Sequence, residues 1–164
     1  MKSRAQKIPP KHVSWAAAST PVGKVVVGLT DKGEVCRVSF LRKRKAIEVV
    51  EEWQAEWKRT VFTAGSAPKD FMQLPLLMIG TEFQKNVWRE IMRIPRGQVA
   101  SYGEIAQRTG MTKAARAVGT ACGNNLLAYI VPCHRVVSAN GIGGYGSAGL
   151  DTKRALLKAE VVSV

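Results

Sequence analysis

Two helix-start signatures in the second half of the chain, Thr81-x-x-Gln84 and Ser101-x-x-Glu104, constrain its fold most. In each, a hydroxyl and a side-chain carbonyl three residues on satisfy one another's free backbone N–H groups. After the first, Phe83, Val87, Ile91 and Ile94 fall on one face, so a helix is expected to about Arg93, broken by Pro95-Arg96-Gly97. The second opens a short helix ending near Thr109-Gly110, with Met111-Thr112 as a turn and Lys113 to Ala121 as a further helix. Short helix, glycine-containing turn and second helix is helix-turn-helix spacing. That second helix is rich in Ala and Gly, with Arg116 as its one long charged residue midway, so its surface is smooth enough for another backbone to approach closely.

The first half has a different period. Lys24 to Leu29, a turn at Asp31-Lys32-Gly33 and Glu34 to Phe40 read as a β-hairpin. Ile47, Val50, Trp53 or Gln54, and Trp57 then recur at helical intervals, whereas Thr60 to Lys69 has no period. A short apolar run, Leu74 to Ile79, ends at Gly80, where the boundary is placed: an N-terminal α/β lobe over 1–79 and a C-terminal lobe over 80–164. A final helix is expected to be capped by Asp151, to face Leu156 and Leu157 inward and to carry Glu160 at its end. The fold class is α+β. A start without regular structure is expected before Ser19.

Lys and Arg number 25 against 12 Asp and Glu, a net charge of +13, so the surface attracts polyanions. The excess is spread: by count, residues 1–80 hold 14 basic and 7 acidic side chains, and residues 81–164 hold 11 and 5. Nucleic acid is the first partner to consider, although a basic surface needs a motif beside it. The three cysteines, Cys36, Cys122 and Cys133, have no zinc-type spacing, and no set of Cys and His including His12 suggests a metal site. Neither metal nor cofactor is expected. No signal peptide or spanning segment is legible, so a cytoplasmic, reduced setting is expected: nucleoid-associated in a prokaryote, nuclear in a eukaryote.

The chemistry-bearing segment is Pro132-Cys133-His134-Arg135. An ordinary thiol titrates near pH ~8.5, and an adjacent imidazole and guanidinium would help generate the nucleophilic thiolate. Taken alone, the Cys-His pair reads more readily as a buried cysteine beside a structural histidine. Direct contact between adjacent side chains would also need a turn after Pro132 or a bridging water.

Ile130-Val131-Pro132-Cys133-His134-Arg135-Val136-Val137 resembles the active-site signature of the O6-alkylguanine-DNA alkyltransferases, the methylated-DNA–protein-cysteine methyltransferases. The resemblance runs from Gly80-Thr81-x-Phe83-Gln84 through Val87-Trp88, Ile94-Pro95-x-Gly97, Ser101-Tyr102 and Ala115-Arg116-Ala117-Val118-Gly119 to Asn125 and Leu156-Leu157-x-x-Glu160. In the first half only Ser19-Thr20-Pro21-Val22-Gly23 and the hairpin look like the family's opening; residues 41–73 match nothing specific.

The resemblance implies a ribonuclease-H-like N-terminal β-sheet lobe with a helix, and a C-terminal helical lobe whose helix-turn-helix carries the active-site cysteine. It implies irreversible, single-turnover transfer of the alkyl group from guanine O6 to Cys133. His134 takes the thiol proton through a water, Glu160 orients His134, Asn125 ties the recognition helix to the active-site segment, and Tyr102 protonates the base at N3. Val136, Tyr145, Ser147 and Pro132 line the pocket, and the loop carrying Tyr145 and Ser147 reads one residue shorter than in some relatives. Arg116 fills the gap left by the flipped base, while Ala115, Ala117, Gly119, Ser101 and Lys113 lie along the minor groove of duplex DNA; Cys122 lies on the DNA-facing side of the second helix and, like Cys36 in the hairpin, is a bystander. A monomer with no membrane partner is expected.

Three rivals carry different signatures. A non-catalytic alkyltransferase-like lesion binder replaces the cysteine. A transcription factor needs more base-reading side chains than Lys113 to Ala121 offers. A cysteine hydrolase needs an oxyanion hole, for which no motif argues.

Overall fold

The computed structural model describes residues 8–162 of the 164. The part of the expected irregular start that falls on residues 1–7 lies outside them. Residues 8–11 are irregular as expected, but from His12 the start is a strand.

The chain forms two compact units, residues 1–81 with 126–130, and 82–125 with 131–164. The division after Thr81 lies two residues beyond the expected boundary, and the first unit reclaims Leu126–Ile130 from the second half of the chain. The reason is local. Leu127 bridges to Val38, the Val38 amide donates to the Leu126 carbonyl at 2.8 Å, and Leu126 packs against Val13, Cys36 and Trp57.

The first unit is a four-stranded sheet covered by one helix. β1 (His12–Thr20), β2 (Gly23–Leu29), β3 (Val35–Phe40) and β4 (Val61–Ala64) are ordered β3-β2-β1-β4, with β4 parallel to β1 and the other pairs antiparallel. The expected hairpin is β2–β3, closed at Gly33 with φ 76°. β1 and β4 are additions that the pattern hid. β1 alternates poorly through Ala16-Ala17-Ala18, and β4 is a four-residue edge strand inside the stretch read as aperiodic.

Helix α1 (Ala46–Glu56) buries Val50 and Trp53, with Trp57 just beyond it, as expected, but Val49 takes the inward place expected of Ile47, which stays exposed. Between Trp53 and Trp57 lies the buried Arg37. Its guanidinium is 5.3 Å and 4.8 Å from their ring centres, and Nη2 donates to Glu56 at 2.7 Å.

The second unit is helical. α2 (Glu82–Met92) buries Val87, Trp88 and Ile91; α3 (Tyr102–Arg108) and α4 (Ala115–Gly123) form the helix-turn-helix. The Ser101 box forms as expected: Ser101 Oγ accepts from the Glu104 amide at 3.1 Å, and Glu104 Oε2 accepts from the Ser101 amide at 2.6 Å. α3 stops because Gly110 adopts φ 79°, while the Met111 and Gly110 amides close back on Ala106 and Gln107. α4 starts at Ala115, leaving Lys113 in the turn, and Trp88 Nε1 donates 2.8 Å to the Ala121 carbonyl, fixing α2 to α4.

A two-stranded parallel pair, β5 (Ala100–Ser101) and β6 (Val136–Val137), joins the start of α3 to the segment after the cysteine. α5 (Leu150–Ala159) is capped by Gly149 at φ 83°; Asp151 lies within its first turn instead of capping it, where its charge still suits the helix dipole. Among the described residues, no helix is long and apolar enough to cross a membrane.

Candidate active site

Pro132 ends the extended approach, and Cys133–Arg135 form a single 3-10 turn between it and β6. That turn buries both members of the Cys-His pair. Cys133 is buried and His134 is 1% exposed. Asn125, just beyond α4, donates from Nδ2 to the Val131 carbonyl at 3.1 Å and to Cys133 Sγ at 3.4 Å. One side chain thus ties the end of α4 to Cys133.

Around His134 the wiring is directional. Nε2 lies 2.9 Å from Glu160 Oε1; a carboxylate accepts only, so the proton sits on Nε2. Nδ1 is buried without a hydrogen-bond partner among the described residues. Burial pulls the imidazole's pKa down, against the opposing pull of Glu160, so the resting ring is neutral and Nδ1 is a free base.

Glu160 closes α5, where a negative charge faces the negative end of the helix dipole. Arg135 compensates with a two-pronged grip, Nε to Oε2 at 2.9 Å and Nη2 to Oε1 at 2.8 Å, while its Nη1 donates to the Ile94 carbonyl at 2.7 Å. Burial raises the Glu160 pKa, but the bonds from Arg135 and His134 outweigh it and hold the carboxyl at about 2.

The sequence reading put Cys122 on the outer side of the second helix as a bystander. It is instead half-buried and hydrogen-bonded to Cys133. The hydrogen bond between the two thiols, then burial, holds Cys133 well above an ordinary thiol, while the same bond lowers Cys122 against the opposing effect of burial. At rest Cys133 is therefore a thiol, which would have to lose its proton to act as a nucleophile.

Tyr102, the first residue of α3, lies between α4 and the glycine-rich loop. Burial raises its phenol, and the Gly144 backbone hydrogen-bonds to it. Gly143 is required here: at φ 74° an added Cβ would stand 3.0 Å from the Tyr102 hydroxyl and 3.2 Å from the Ser138 amide. Tyr145 meets His134 edge-on with ring centres 6.3 Å apart. Ser147, in the short 3-10 turn Gly146–Ala148, is exposed; Val136 and Pro132 are buried against the cysteine turn. Arg116, Ala117 and Lys113 are exposed, and Ala115, Gly119 and Ser101 are half-exposed, leaving an outer face of α4 of small side chains around one arginine.

Lys153 escaped the sequence reading. It is fully buried, and Nζ donates to the Val136 carbonyl at 2.6 Å and the Gly144 carbonyl at 2.9 Å. The available signal was its place three and four residues before Leu156 and Leu157, inside the apolar stripe of α5. Arg135 was noted only as a neighbouring charge; nothing in the spacing foretold its grip on Glu160.

Residues 82–162 match the family model for the 6-O-methylguanine DNA methyltransferase, DNA binding domain. The chain is 41% identical over 155 residues to a methylated-DNA–protein-cysteine methyltransferase of Methanosarcina acetivorans, covering 89% of this chain and 97% of the relative. A Mycobacterium tuberculosis protein of the same name is 55% identical over 82 residues, covering 49% of each chain. Among solved structures, Mycobacterium tuberculosis OGT in complex with DNA superposes with a TM-score of 0.73 at 31% identity, over 91% of this chain and 93% of that one.

Proposed function

Because the chain belongs to the methylated-DNA–protein-cysteine methyltransferase family, we propose that it repairs O6-alkylguanine in DNA by moving the alkyl group irreversibly onto Cys133. The observation that carries the reading is the neutral His134, bound through Nε2 to Glu160 and left with a free Nδ1 beside a buried thiol. Such a base takes the Cys133 proton through one water as the thiolate attacks. Glu160, held ionised by Arg135, stabilises the imidazolium that results.

In the transfer, a bond forms between Sγ and the alkyl carbon while the carbon–O6 bond breaks, and its electron pair stays on guanine. The Tyr102 phenol donates a proton to the base and recovers one from solvent, so neutral guanine departs. His134 keeps the thiol proton until solvent removes it. No step regenerates the thiol, and each molecule acts once.

The target carbon is inside the duplex, so the nucleotide must leave the stack at an expense of a few kcal/mol. Arg116 enters the space it vacates while the smooth face of α4 follows the minor groove, with Ala115, Ala117, Gly119, Ser101 and Lys113 along the backbone. The flipped base lies against Pro132, Tyr145 and Ser147, and the Val136 carbonyl accepts from its amino group. The protein works as a monomer, in the compartment that holds the DNA, with its thiols reduced.

Intact-mass spectrometry after mixing with excess duplex containing one O6-methylguanine tests the reading. One CH2 gained per protein molecule, absent in Cys133→Ser, is expected. No gain by a folded protein that still binds the lesion selectively would make it a non-catalytic lesion binder.

A further inference from the structure

β4 is an open edge of the first unit's sheet, and an apolar groove meets it where it begins. Among the described residues β4 pairs with β1 alone. The Val61 and Gly65 amides donate to the Lys11 and Trp15 carbonyls at 2.9 and 2.8 Å. Backbone groups alternate sides along a strand, so those of Phe62 and Ala64 point away from β1, where no strand receives them. An edge of this kind is a template for another strand, and β4 holds neither a charged residue nor a proline to blunt it.

The groove has a volume of about 650 Å³, with Ile8, Pro9 and Pro10 on one side and Trp57, Thr60 and Val61 on the other. Ile8 is 76% and Val61 59% exposed, so two large apolar side chains stand open to water at its walls. The frame is anchored. Thr60 Oγ1 donates to the Pro10 carbonyl at 2.7 Å, Gln54 Nε2 donates to the Thr60 carbonyl at 3.1 Å, and Trp57 stacks on Phe62 with ring centres 6.2 Å apart. Lys11, Lys58 and Arg59 also line the groove, all exposed and without an ion pair among the described residues. Its one acidic residue, Glu56, is held by Arg37 at 2.7 Å. The rim therefore presents cations with no anion free to answer them.

Open edge, apolar groove and cationic rim together fit one kind of occupant. Residues 1–7 carry three basic side chains and no acidic one, and a second copy brings a net charge of +13, so both are repelled by the rim. DNA would answer the cations but leave the groove and the strand edge unfilled. We propose that this face docks a partner protein through an extended peptide of acidic and apolar residues, which adds to β4 as a strand, sets an apolar side chain in the groove and lays carboxylates against Lys11, Lys58 and Arg59. In strand addition the main-chain bonds give affinity and the pocket gives selectivity. The docking face lies wholly within the first unit and is independent of the alkyl-transfer reading.

The test titrates the full chain into the fluorescein-labelled peptide Leu-Glu-Val-Asp-Leu-Glu-Val at physiological salt and follows anisotropy. Beside it stand a peptide with lysine at each acidic position, two forms N-methylated on one or the other set of alternate amides, and the chain carrying Lys58→Glu and Arg59→Glu. The acidic peptide should bind with a Kd on the order of 10 μM. The lysine peptide, and the charge-reversed chain with the acidic one, should bind about tenfold more weakly, with methyl transfer unchanged in that variant. One of the two N-methylated forms should lose binding, because only one edge of the peptide pairs with β4.

No binding at about 1 mM overturns the proposal, as does equal affinity for peptides of either sign or full affinity in both N-methylated forms. Displacement of the probe by undamaged duplex DNA would assign the face to nucleic acid, and displacement by a synthetic peptide of residues 1–7 would assign it to this chain's own start. A dimer in sedimentation that the charge-reversed chain fails to form would assign it to a second copy. Each of these three results also overturns the proposal.

Discussion

Each unit of the molecule buries a cysteine, and the two thiols are treated in opposite ways. Cys36, in β3, is 1% exposed, donates to the Gly28 carbonyl and is pushed by burial up to about 12. Apart from Arg37 and Glu34, its neighbours are strand and tryptophan surface. Cys133 is nearly as buried, but Asn125, Cys122 and Lys153 act on it, and the next residue carries a free imidazole nitrogen. Burial alone silences a thiol; burial beside a base, a cation and a second thiol holds it as a thiol that can be ionised on demand. The buried arginines divide the same way. Arg37 stacks on tryptophans and grips a largely exposed Glu56, whereas Arg135 and its carboxylate partner are both largely buried and wired to His134.

The two histidines give the largest expected contrast. His134→Gln should slow methyl transfer by roughly 10²- to 10³-fold in single-turnover assays, the usual loss with a general base. His12→Gln, in β1, removes a partner of Asp31 and Thr63 and should leave the rate unchanged. Equal losses would erase the distinction between the units.

Glu160→Gln should lower stability at pH 7 by about 3 kcal/mol in urea unfolding, because it leaves Arg135 unmatched. The pH dependence follows from the carboxyl's fall from 4.5 to about 2. Its stabilisation is complete above 4.5 and is lost as the pH drops toward 2. The unsubstituted protein should weaken across that window, and Glu160→Gln should show a flatter profile there.

Two glycines with similar backbone angles separate strain from crowding. Gly33→Ala, at φ 76° in open space, should destabilise by about 1 kcal/mol without affecting transfer. Gly143→Ala adds a collision with Tyr102 to the same strain, so it should destabilise more and slow transfer as well. The smallest effect is expected for Arg37→Met. It removes a buried charge whose Nε and Nη1 have no hydrogen-bond partner among the described residues, and it should change stability by no more than about 1 kcal/mol, with transfer unchanged.

The second unit was the more legible in sequence because its signals are local. The Ser101–Glu104 box, the Gly110 stop and the Pro132 turn each act within a few residues of where they stand. The proposed alkyl acceptor, Cys133, came through the family resemblance, since a Cys-His pair does not declare itself by spacing. What stayed hidden depends on long-range pairing. β1 and β4 meet in parallel across some fifty residues, from His12 to Val61, and the Leu126–Ile130 segment returns to the first unit by pairing with Val38. Lys153 was missed because a lysine on a helix is ordinarily solvated, and its burial follows only once Val136 and Gly144 are placed over it. Cys122 was missed for the converse reason: the residues of α4 bearing on DNA were taken to include a thiol that the helix turns inward.

The most direct test of the contrast between the two thiols is a peptide-resolved mass map of all three cysteines after one equivalent of O6-methylguanine duplex has reacted. The account predicts a methyl group on Cys133 in stoichiometric yield, with Cys36 and Cys122 unmodified. Methyl on Cys36, or spread evenly between Cys122 and Cys133, would contradict it.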